Sequence, residues 1–177
     1  SDQATIEFNT VDGALDVFVV DTDGSGYKFE NNLVITNSSE SVTVTMASPT
    51  LQTDDDYNNF SLYFTFSGDS YVRKIIDSSY SSPNATLTLD ATIPALSGTI
   101  TANVAPFATI NGDGHGAEVI LTANASDSSG NAVGGVTVVS GGNSYTTATL
   151  SVSTQGDAGH GSSAAITTIL PPKGGHG

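Results

Sequence analysis

The segment Phe60-Ser-Leu-Tyr-Phe-Thr-Phe66 alternates strictly between apolar and other positions. Phe60, Leu62, Phe64 and Phe66 fall on one face, and Tyr63 points the other way. Successive side chains leave a strand on opposite sides, so this period of two predicts a half-buried β-strand. Leu15, Val17 and Val19 alternate with Asp16, Phe18 and Val20, which predicts one firmly buried face and a second, partly covered one. Between Ser41 and Met46 the inward set is Val42, Val44 and Met46. Tyr71-Val-Arg-Lys-Ile-Ile76 and Ala85–Leu89 follow 60–66 across turns at Ser67–Ser70 and Ser82-Pro83-Asn84, the signature of a small antiparallel meander.

Further strands are predicted over Ala4–Phe8, Val119–Ala123, Val136–Val139, Thr147–Val152 and Ala164–Leu170. Asp127-Ser-Ser-Gly130 reads as a hairpin turn, and 136–139 with 147–152 as the next hairpin. Pro171-Pro172 ends the last strand, because proline cannot donate to a ladder. No helical period occurs, and β-branched residues are everywhere, so no helix of ordinary length is expected.

Two stretches recur. Gly13-Ala-Leu-Asp-Val-Phe-Val-Val-Asp-Thr-Asp-Gly-Ser-Gly-Tyr27 returns as Gly135-Val-Thr-Val-Val-Ser-Gly-Gly-Asn-Ser-Tyr145. Ala108-Thr-Ile-Asn-Gly-Asp-Gly-His-Gly-Ala117 returns as Val152-Ser-Thr-Gln-Gly-Asp-Ala-Gly-His-Gly161. The unit is an apolar strand, a glycine turn closed by Tyr, a second strand, then a Gly-Asp and a Gly-His-Gly. The expected architecture is therefore all-β, built of antiparallel sandwich or meander modules. Residues 1–30 with 105–177 form a Gly-rich hairpin repeat, and residues 31–104 an inserted antiparallel module with its own aromatic core.

Composition narrows the functional classes. The chain has 177 residues, with 4 Lys+Arg against 18 Asp+Glu and a formal charge of −14. Nucleic acids and anionic membranes need basic patches, so neither is an expected partner. There is no Cys, which removes disulfides and thiolate chemistry. No window of about 18 apolar residues suggests a transmembrane helix, and no signal segment opens the chain. The start at Ser1 points to a processed chain or an excised fragment. Four Asn-x-Ser/Thr sequons, at Asn37, Asn59, Asn84 and Asn124, are what chance gives in a chain rich in Asn, Ser and Thr.

Candidate chemistry is sparse. His115, His160 and His176 each sit in Gly-His-Gly, and imidazole is the commonest metal ligand. Each lies in a separate turn without a second ligand at zinc-site spacing, so they read as turn residues. Asp21-Thr-Asp-Gly-Ser-Gly26 resembles the start of a calcium loop, with Gly26 at the sixth position. The twelfth position is Asn32, Glu30 is off register, and the second copy lacks both aspartates, so the segment reads as a conserved turn shape. Asp54-Asp55-Asp56 reads as a solvated loop in preference to half of a glycosidase carboxylate pair. Phe60, Tyr63, Tyr71 and Tyr80 could form a sugar-stacking platform, with Tyr63 its best surface aromatic; sheet packing is the plainer reading. No nucleophile elbow, Walker loop or zincin helix is present. No catalytic, cofactor-binding or metal residue is assigned; an enzyme and a cofactor are not expected.

The repeat resembles one found in a known family. Asp12-Gly-Ala-Leu-Asp-Val17, Gly24-Ser-Gly-Tyr27, Gly112-Asp-Gly-His-Gly-Ala117, Gly141-Gly-Asn-Ser-Tyr145 and Pro172-Lys-Gly-Gly-His-Gly177 look like segments of the baseplate wedge protein, gene product eight, of T-even-like contractile-tailed phages, particularly the cyanophage branch. The likeness covers roughly 10–30 and 105–177. The middle block, with Tyr57-Asn-Asn-Phe60 and Arg73-Lys-Ile-Ile-Asp77, is similar to a β module of phage tail proteins. Asn143-Ser144 departs from the family's usual Ser-Gly, and the middle block interrupts the first copy. The resemblance implies a structural virion protein in the tail baseplate, formed in the host cytoplasm, oligomeric within its assembly and held by other tail subunits. It also implies that this chain is an internal segment of a longer one. The alternative is a carbohydrate-binding or adhesive module of a tail fibre or cell surface, using Tyr63, Tyr57 and the acidic loop.

Overall fold

The computed structural model describes residues 13–169. The predicted strand over Ala4–Phe8, the Pro171-Pro172 stop, and His176 with its closing motif lie outside them. The described residues are all-β and antiparallel, with no helix, and so none long and apolar enough to cross a membrane.

Six strands close a barrel: β2 (Glu30–Thr36), β3 (Ser41–Ala47), β4 (Phe60–Phe66), β5 (Asp69–Ser81), β6 (Asn84–Ile93) and β7 (Ile100–Pro106), ordered β2-β3-β6-β5-β4-β7. Strand β1 (Val17–Ser25) precedes them in the chain. The alternation in β4 sets its face: Phe60, Leu62 and Phe64 are buried among Ile35, Val44, Met46, Ile75, Leu87 and Val104. Phe66, at the strand end, is half-buried. The expected meander is present as β4-β5-β6, and β2, β3 and β7 complete it into a closed ring. Closure pairs every strand on both sides and leaves no edge.

Two alternation readings fail. Val42 is 38% exposed although Val44 and Met46 are buried. The register of β3 on β6 shifts between Ser41↔Ile93 and Thr43↔Thr88, so the extra residues of the bulge lie on β6, and Val42, in phase with Val44 and Met46, stands beside that break without a regular cross-strand neighbour. In the first repeat Leu15 is buried, but it is followed by buried Phe18 and by Val19 at 39% exposure, so the phase inverts. Leu15 lies ahead of β1, fixed by its own N–H to the Gly141 carbonyl at 2.7 Å, and the strand face is set only after it.

The remaining strands surround a second core. Strands β1, β12 (Ser162–Ile169), β11 (Ala148–Val152) and β8 (Ala108–Gly112) form a sheet in that order, and β9 (His115–Ala123) pairs with β10 (Val133–Asn143). Strand β8 runs into β9, and Leu15, just ahead of β1, bonds to Gly141 on β10, which brings the two sheets together around Leu15, Phe18, Tyr27, Leu121, Val133, Tyr145, Leu150 and Ile166. The hairpin expected between 136–139 and 147–152 does not form. Strand β10 already has β9 as partner through the Asp127–Gly130 turn, whose Gly130 N–H bonds to Asp127 O at 3.0 Å. Gly142 and Ser144, both at φ 64°, then carry the chain to buried Tyr145, and β11 pairs with β8 and β12 instead.

The repeat is a physical one. Tyr27 donates its N–H to Asn131 O at 2.9 Å, and Tyr145 donates to Gly13 O at 2.8 Å, each copy closing the start of the other. Bulges fall at matching places, between Val20 and Thr22 and between Val138 and Ser140. Ile110 pairs with Leu150 while Ala108 faces Val152 and Ala148 faces Gly112, which places a pseudo-twofold axis between β8 and β11. One alignment from the sequence is corrected. Tyr27 packs on Gly161 and Tyr145 on Gly114, so Ser162 is the counterpart of His115, and the two Gly-His-Gly motifs are not equivalent.

Candidate functional site

The candidates from sequence do not converge. His115 is exposed at the start of β9, and half-buried His160 exchanges backbone hydrogen bonds with Gln155 at 2.8 Å. Among the described residues no three His, Asp or Glu side chains gather as a metal site. Asp21 and Asp23 lie within β1, whose extended backbone runs on to Ser25 instead of curling into a loop. Asp21 accepts from the Thr167 hydroxyl, and Asp23 accepts from Asn124 Nδ2 at 2.7 Å. Glu30 is engaged in the barrel, accepting from Tyr57 Oη at 2.6 Å and from Thr50 N–H at 3.1 Å.

The aspartate run is a structural clasp. Asp54 accepts from Tyr80 N–H at 2.7 Å, Asp55 from Asn58 Nδ2 at 2.9 Å, and Asp56 from Thr53 N–H at 3.0 Å and the Thr53 hydroxyl. Asp55, at φ 63°, turns the chain so that its carbonyl meets Asp157 N–H at 3.3 Å and Asn58 O meets Gly156 N–H at 2.7 Å. This loop therefore ties the barrel to the repeat unit. Of the proposed aromatic platform, Phe60 is in the barrel core and Tyr71 stacks on Phe64 with ring centroids 5.0 Å apart. Tyr57 is buried as well, and burial with the Glu30 carboxylate beside it pushes its phenol far above the usual range.

The chemistry that does gather lies along the seam between barrel and repeat unit. Arg73 reaches Glu118 at 3.8 Å and lies 5.6 Å from the Tyr71 ring centre, while Lys74 sits 4.8 Å over Phe107. Lys28 is held through its backbone by Gln155, which is fully buried: Lys28 N–H donates to Oε1 at 2.7 Å and Nε2 donates to Lys28 O at 2.8 Å. All three cations among the described residues thus stand at this seam. Gln155 gave no sequence signal, because its partner is 127 positions away.

The same seam holds a cleft of about 380 Å³. Tyr63 and Asn103, paired across β4 and β7, form its barrel wall with Ala105. Ile120, Thr122 and Thr137 of β9 and β10 form the facing wall, and Phe29 and Asn31 close one end. Tyr63 faces away from the barrel interior, as the alternation of β4 requires, but packs half-buried against the second core. Comparison with protein families, curated proteins and solved structures finds no match to this chain.

Proposed function

We propose that this chain is a structural subunit of a phage tail baseplate wedge, incorporated through protein–protein contacts. The motifs that carry the resemblance support the reading from sequence, and Gly24, Tyr27, Gly114, Gly142 and Tyr145 are packing joints of the pseudo-twofold unit. The observation that carries it structurally is an apolar pair on the barrel flank. Val42 and Ile76, 38% and 51% exposed, stand at register shifts on opposite sides of β6, Ile76 as the extra residue of β5 and Val42 opposite extra residues of β6. Thr88 is the cross-strand partner of Thr43 on one side and Asp77 on the other, so both bulges address one stretch of β6. A closed barrel has no edge for backbone pairing, and a neighbouring subunit must meet it through outward side chains such as these.

The test is labelling of intact particles from the source with serum raised against residues 31–104. Label at the end of contractile tails is the expected result. Label on capsids, fibres or cell surfaces would move the function to decoration or adhesion.

A further inference from the structure

The cleft at the seam is lined by uncharged side chains. The chain carries 18 acidic and 4 basic side chains, yet none of them lines it. Its polar groups are all neutral: the amides of Asn31 and Asn103 and the hydroxyls of Tyr63, Thr122 and Thr137. Asn103 is fixed by Asn32 N–H, which donates to its Oδ1 at 3.0 Å and leaves Nδ2 to donate. The Tyr63, Thr122 and Thr137 hydroxyls and the Asn31 amide have no hydrogen-bond partner among the described residues. Two aromatic rings, Phe29 and Tyr63, stand in the same walls.

This combination selects a ligand class. A phosphate, a metal ion or a charged peptide would find no opposing charge there. A purely apolar ligand would strip water from the amides and hydroxyls without replacing it. A sugar offers apolar C–H faces to aromatic rings and hydroxyls that both donate and accept, and the cleft is within the size range of small-ligand sites. We propose that the cleft between β4, β7 and the β9–β10 hairpin binds a short neutral saccharide, with Tyr63 and Phe29 as stacking walls and Asn103, Thr122 and Thr137 as hydrogen-bonding groups. The site is separate from the proposed subunit contact: it uses neither Val42 nor Ile76, and either assignment can fail without the other.

The test uses the full 177-residue chain on an array of neutral and anionic oligosaccharides, with titration calorimetry on any that bind. Binding of a neutral oligosaccharide is expected, weakened ~10-fold or more by Asn103→Ala and by Tyr63→Ala. Thr137→Val, at an exposed position, tests the same wall without threatening the fold, and it too weakens binding while leaving the melting temperature unchanged. No binding to any member, binding of anionic glycans alone, or neutral-glycan affinity untouched by both Asn103→Ala and Thr137→Val would overturn the assignment.

Discussion

The ring of Tyr27 occupies the space that a side chain on Gly161 would need, since a Cβ there would come within 2.0 Å of Tyr27 Cδ1. Gly161 also stands at φ 85°, where an L-residue is strained. Gly161→Ala is therefore expected to cost about 3 kcal/mol or more, by displacing a buried aromatic at a strained backbone position. Gly159→Ala, at φ 69° but with open space around it, carries only the backbone term of about 1 kcal/mol. Urea unfolding of the two variants checks this, and equal losses would show that the Tyr–Gly contact does not hold the unit together.

Gln155 acts as a two-point clamp on Lys28, and a protonated carboxyl could copy it, accepting from Lys28 N–H and donating to Lys28 O. An ionised carboxylate cannot donate and would be buried. The folded-state pKa in Gln155→Glu is thus raised above the unfolded value, so its stability is full below about pH 4 and declines as pH rises. A loss of about 2–3 kcal/mol at pH 8, recovered near pH 4, is expected from denaturation curves at the two values. A pH-independent variant would argue against the clamp.

Tyr57 sets the alkaline limit. Burial and then the Glu30 carboxylate disfavour its phenolate, so the folded pKa lies above the unfolded one. The stability it contributes is complete below about pH 10 and lost as pH climbs beyond it. Tyr57→Phe should lower stability at pH 7 by about 1–2 kcal/mol, because Leu51 N–H loses the hydroxyl it meets at 3.1 Å. The same substitution should flatten the decline between pH 10 and 11.5 in thermal melts.

Acid sensitivity has a separate origin. Asp113 is held well below the usual carboxylate range, first by the Thr146 hydroxyl and then by the N–H groups of Thr147 and Thr146. Asp127 is lowered by the Ser129 hydroxyl, then by Ser129 and Asn131 N–H. For both, the contribution is present above about pH 4 and lost as pH falls below it. The double variant Asp113→Asn with Asp127→Asn is expected to show a shallower fall in melting temperature between pH 4 and 2 than the parent.

The proposed subunit role makes incorporation into particles depend on the barrel flank. Val42→Lys and Ile76→Lys are expected to leave the barrel's melting temperature nearly unchanged, since both positions are exposed, and to exclude the protein from purified particles. Normal incorporation of both variants would place the contact elsewhere.

The sequence was most legible where strands lack bulges. In β4 the alternation alone gives Phe60, Leu62 and Phe64 as core, because the pairing with β5 and β7 is unbroken. In β3 the same reasoning misplaces Val42, since the break in pairing that leaves it exposed comes from extra residues in β6 and not from the residues of β3. The Asp127–Gly130 turn between β9 and β10 was legible, but the partners of β11 were hidden, because an alternating strand can pair on either edge and its neighbours β8 and β12 are not the strand that precedes it. Of the seam cleft, Tyr63 alone carries a sequence signal, through its outward phase. Asn103, Thr122 and Thr137 are ordinary strand residues until the fold brings them opposite one another.

The barrel begins and ends on adjacent staves: Glu30 in β2 is the cross-strand partner of Val104 in β7. Its two connections to the rest of the chain therefore leave it about one strand spacing apart, roughly 5 Å. Such a cassette can be spliced into a surface connection with little distortion of the host, and it can be exchanged for another domain whose ends lie as close.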